Sequence, residues 1–133
     1  MSAEFDIDVS GEDLLSPHYT VCIANKDSII RGFKFSSDFI QAINSNYNKG
    51  AYRYEKSKKG RAELKVRLYC IVIYHLVKSL KIDGPVRLNI CKDFDGKEEN
   101  IKNNLNFLLK QKSGIEVEYK FRKLGEESNS HKY

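Results

Sequence analysis

Cysteine is scarce and poorly placed for cross-linking. Cys22, Cys70 and Cys91 are odd in number, each lies in an apolar run, and no two have the spacing of a zinc site. This argues against a disulfide framework and a cysteine-built metal centre, and fits reduced core residues of an intracellular, cytoplasmic protein. Long apolar runs are also missing: the longest, Leu68 to Val77, is about half the ~20 residues a membrane span requires, and Arg67 and Lys78 bound it. It reads as a buried helix of a soluble core. The opening Met1-Ser-Ala-Glu-Phe-Asp6 lacks the basic-then-apolar order of a secretion signal. There is no internal repeat and no low-complexity tract. The 133 residues, 41% hydrophobic and 31% charged, suit one globular domain spanning 1–133 and are too few for two ordinary ones.

Charge is present in both signs but unevenly distributed. Residues 1–48 hold three Lys/Arg against seven Asp/Glu, and residues 49–133 hold 20 against 11, so the net charge of +5 divides into −4 and +9. Basic surface attracts phosphate backbones by releasing condensed counterions, which makes a polyanion such as nucleic acid the natural partner. The basic residues concentrate at Lys49, Arg53, Lys56, Lys58, Lys59 and Arg61, interleaved with Tyr52 and Tyr54. Such a stretch suits phosphate contacts with stacking, and equally suits a solvated loop.

Phe5, Ile7 and Val9 alternate with Asp6, Asp8 and Ser10, the period of a strand with one apolar and one polar face. Tyr19–Ala24 and Ile29–Phe35 are two more β-rich runs, joined by the polar Asn25–Ser28 as a hairpin. Ser36-Ser-Asp38 has N-cap chemistry before Phe39, Ile40, Ile43 and Tyr47, spaced for a short helix over 37–48. The spacing predicts a loop over Lys49–Gly60, then a helix from Arg61 to Leu80, apolar on nearly all sides and therefore central. His75 on it reads as a satisfied core residue.

Asp83-Gly-Pro85 breaks the chain before a strand at Val86–Cys91. Asp95-Gly-Lys-Glu98 matches a capping box, with Asp95 as N-cap, for a helix through Ile101, Leu105 and Leu108 that stops at Gly114. Ile115, Val117, Tyr119 and Phe121 alternate with charged residues as an edge strand. Residues 123–133 read as a flexible or incomplete C-terminal helix.

The order β-β-β-α-α-β-α-β resembles the ribonuclease H-like superfamily of ribonucleases H, integrases, transposases and resolvases. Three patterns carry the resemblance: Arg61-Ala-Glu-Leu-Lys65 at a helix start, Asp8 in an apolar-flanked first strand before Ser10-Gly11, and a strand ending in Asp93. It implies a mixed α/β fold, a five-stranded mixed sheet of order 3-2-1-4-5 flanked by helices on both faces. It also implies a metal-dependent nuclease or related phosphodiester-processing protein, with Asp8, Glu63 and Asp93 holding Mg²⁺ or Mn²⁺ as catalytic and metal-binding residues. Carboxylates suit these hard cations, and two ions held close together clamp the attacking and leaving oxygens. Asp6, Asp95 and His131 stand in reserve.

Each acid also has a structural explanation: Asp8 as a solvated strand residue, Glu63 as a first-turn acid complementing the helix dipole, Asp95 as a cap. The alternative function is a non-catalytic nucleic-acid- or protein-binding module on the same fold.

Overall fold

The alternation at Phe5, Ile7 and Val9 becomes β1 (Ala3–Ser10), the central strand of a five-stranded sheet. The computed structural model describes residues 3–11, 14–15, 19–25, 29–50, 52, 54–81, 85–91 and 97–122. After β1 come β2 (Thr20–Ala24), β3 (Ile29–Lys34), α1 (Ser37–Asn48), α2 (Lys58–Ser79), β4 (Val86–Cys91), α3 (Glu98–Leu105) and β5 (Val117–Arg122). The sheet order is β3-β2-β1-β4-β5, antiparallel from β1 to β3 and parallel from β1 to β5. A mixed α/β fold with an open mixed sheet of order 3-2-1-4-5 is therefore present, with β5 at an edge as expected.

Register decides which side chains share a face. Phe5 pairs with Leu88, Ile7 with both Ile23 and Ile90, Val9 with Val21, and Val86 with Val117. Because side chains alternate along a strand, these residues make one continuous apolar face. Glu4, Asp6 and Asp8 point from the other. The helices close the apolar face. α2, apolar nearly all round, packs on the sheet and against α3: Tyr69 Oη donates to the Cys91 carbonyl at 3.4 Å, and Cys70 Sγ lies 3.7 Å from the Ile101 carbonyl. α1 reaches the same side through Phe39, whose ring meets Phe33 and Phe35 edge-on at 5.5 and 5.3 Å. All three described helices thus engage one side of the sheet, whereas the resemblance implies helices on both.

Four further expectations are corrected. α2 starts at Lys58, a turn before Arg61, because Ser57 caps it by accepting from the Gly60 N–H at 3.1 Å. α3 starts at Glu98, so Lys97 and not Asp95 holds the N-cap position, with no side-chain cap bond from Lys97. His75 is exposed rather than buried, lining a groove with Arg31, Phe33 and Leu76. The polar side of β1 is not solvated: Asp6 and Asp8 retain only 3% and 4% exposure.

One feature has no counterpart in the sequence pattern. Beyond Leu105 the helix widens into a π-helical turn, Asn106–Gln111, in which the Lys112 N–H returns to the Phe107 carbonyl at 3.0 Å. It ends at Gly114, whose φ of +67° is the left-handed stop glycine accepts readily.

Candidate functional site

The resemblance rests on acidic residues of β1, α2 and the chain after β4. In the parallel β1–β4 pair Asp6 stands beside Asn89, and Asn89 Nδ2 donates to Asp6 Oδ1 at 2.9 Å and to Glu4 Oε2 at 3.0 Å. One amide thereby bridges two carboxylates. The Asn89 side chain is itself buried, so these bonds form where an unmade bond costs most. Asp8 Oδ1 accepts from the Val9 N–H at 2.8 Å, also in a buried setting.

Glu63 lies on α2, the helix packed against the opposite, apolar face, half-buried beside Tyr54 and Arg67. The structure thus groups Glu4, Asp6 and Asn89, and sets Glu63 apart with Tyr54. Asp93, Asp95, His131 and Arg53 lie outside the described residues, as does the segment 123–133. Among the described residues no group of three His, Cys, Asp or Glu side chains is arranged to hold a metal ion.

The basic residues gather at one place. Lys49 is the C-cap of α1, and Lys56, Lys58 and Lys59 surround the start of α2, all four exposed. The two helix ends are tied together: the Tyr47 hydroxyl donates to the Glu55 carbonyl, and the Arg61 guanidinium stands 5.9 Å from the Tyr47 ring centroid. Gly60 permits this closure, because a Cβ there would overlap the Glu55 backbone.

The first turn of α2 contains no acid. A helix N-terminus carries about half a positive charge, which ordinarily draws Asp or Glu. Here Lys58 and Lys59 add full positive charges to it. Glu55, the nearest acid before the helix, turns toward Ser57, Oγ to Oε2 at 3.4 Å.

A neighbouring cluster escapes sequence reading. Arg67 Nη1 donates to Asn104 Oδ1 at 2.6 Å, and its guanidinium lies 5.5 Å from the centroid of Phe107, which is 45% exposed. Burial pushes the Tyr54 phenol above its ordinary 10.0, Arg67 draws it back, and Glu63 adds to the rise. Arg67 and Asn104 are 37 residues apart, and no local pattern announces a contact between them. The only signal in the sequence is the surplus apolar residue in Phe107-Leu-Leu109.

No helix among the described residues is long and apolar enough to cross a membrane. Compared with known proteins, the chain matches no family model, no curated protein and no solved structure.

Proposed function

We propose that the protein is a nucleic-acid-binding module whose phosphate contacts come from Lys49, Lys56, Lys58, Lys59 and Arg61. One observation carries the reading: exposed cations crowd the positive end of α2 with no acid in its first turn. Each cation beside that terminus costs of order 0.3–1 kcal/mol in the free protein. A phosphate backbone placed there reverses the sign, meeting ammonium groups and unpaired helix N–H groups together. Arg53 belongs to the same stretch of sequence and is assigned the same role. The element order and the 3-2-1-4-5 sheet support a ribonuclease H-like arrangement for the module.

A second reading, divalent-metal-dependent phosphodiester cleavage, is favoured by one observation. β1 and β4 are adjacent and parallel, so Cys91, the last residue of β4 and two before Asp93 in sequence, lies at the end of the sheet toward which Asp8 lies. Mg²⁺ or Mn²⁺ would be held by Asp8 and Asp93, with carboxylates as hard ligands, while Glu63, on the helix against the opposite face, stays outside that pair. The two readings separate in one assay: labelled single-stranded, duplex and hybrid oligonucleotides are incubated with the protein, with and without each metal, and both complex and strand length are followed. The binding reading expects a complex and intact strands. It also expects Glu63→Gln to tighten the complex by removing a negative charge beside the basic end of α2. Metal-dependent shortening that disappears with Asp8→Asn would instead establish catalysis.

A further inference from the structure

We infer that Phe107 and Arg67 form a base-stacking platform, so that the preferred ligand is a single strand with its bases unpaired; the inference rests on the nucleic-acid reading above. A duplex hides its base faces, whereas a single strand offers a π-face at every nucleotide. Phe107 is among the two large apolar side chains that the described residues leave exposed, at 45%. Its ring is held from behind. The Arg67 guanidinium lies 5.5 Å from its centroid and is fixed in turn by the 2.6 Å bond to Asn104. An arginine so oriented strengthens stacking on the ring and remains a cation for the neighbouring phosphate.

The platform sits on a π-helical turn. Such turns are rare and concentrate at functional positions, because the widened ring re-aims the side chains that leave it. In this one Leu108 and Leu109 are buried while Phe107 faces solvent.

Continuity with the lysines is built into α2. Lys59, Glu63 and Arg67 follow at i, i+4 and i+8, so they run along one stripe of the helix. From Lys58 to Arg67 the helix rises about 14 Å, within the span of a few nucleotides. Tyr54, two residues before Lys56, lies in the electrostatic reach of Arg67. Glu63 within the stripe leaves a gap between the phosphate-binding end and the platform.

The chain has no tryptophan, so Phe107→Trp introduces a single indole reporter at an exposed position. Titration of this variant with a single-stranded oligothymidylate is expected to quench its emission, and an abasic strand of equal length is expected not to. In parallel, Phe107→Ala should bind the oligothymidylate roughly 5- to 150-fold more weakly, the worth of about one base–aromatic stack, with the salt dependence unchanged because the substitution removes no charge. Binding to the abasic strand should stay as in the parent. If Phe107→Ala binds both strands like the parent and the indole is not quenched, while replacement of Lys56, Lys58 and Lys59 weakens both, the platform is refuted and the phosphate site stands. If the parent binds neither strand, both inferences fall together.

Discussion

Asn89 donates from one amide nitrogen to two carboxylates, Glu4 and Asp6, in a stretch of sheet where Asp6 is almost wholly enclosed. Truncating it to alanine removes a donor that neither water nor backbone readily replaces there. Asn89→Ala is therefore expected to lower unfolding free energy by about 1–3 kcal/mol, read as a drop in the urea midpoint at unchanged slope. Cys70 illustrates burial acting on a different group. Removal from water pushes its thiol from 9.0 to about 12, with Arg67 opposing the rise. A neutral acid held neutral by the fold stabilises the native state below its unfolded value and loses that contribution as pH climbs from 9 toward 12. Stability should accordingly fall across that window, and less so in Cys70→Ala. A thiol reagent at mildly alkaline pH should modify Cys70 only on unfolding, and half-buried Cys22 sooner.

At the scale of elements, helix termini decide what the basic segment is. Gly60→Ala would ordinarily favour a helix, but here the new Cβ meets the Glu55 backbone. The clash outweighs the propensity gain, and a net loss of about 1–3 kcal/mol is expected, seen as a lowered Tm. Lys97 presents the reverse case. It occupies the N-cap of α3 with no acceptor to offer, so Lys97→Asp should stabilise by about 1 kcal/mol in the same melting experiment.

These termini also mark where the sequence was legible. Strands and helices with strong periodicity, such as Phe5-Ile7-Val9 or the apolar α2, emerged in the right order. The start of α2 did not, since Gly60 within Lys58-Lys-Gly-Arg61 looks like a breaker until its close approach to Glu55 is visible. The π turn was illegible for another reason: a bond to the fifth rather than the fourth preceding residue hardly alters the residue pattern.

For the whole molecule, element order with the strict alternation of β1 made the 3-2-1-4-5 sheet readable. Which surfaces are covered was not, because alternation reports polarity and not what lies across from it: Asp6 and Asp8 are buried despite facing the polar side. The same limit applies to the candidate site. The lysines were legible as a charge run, but their position around an acid-free helix start, beside Arg67 and Phe107, required the fold.

The most direct measurement of the central claim is the salt dependence of binding to a labelled single strand, by fluorescence anisotropy, for the parent and for the variant with Lys56, Lys58 and Lys59 all replaced by alanine. Each phosphate contact contributes about −0.7 to the slope of log K against log salt. If the three lysines contact phosphates, the variant's slope is shallower by about 2 and its affinity near 0.1 M salt falls roughly five-fold for each phosphate no longer neutralised. Identical slopes and affinities for the two proteins would contradict the account, leaving the basic end of α2 a solvated helix start.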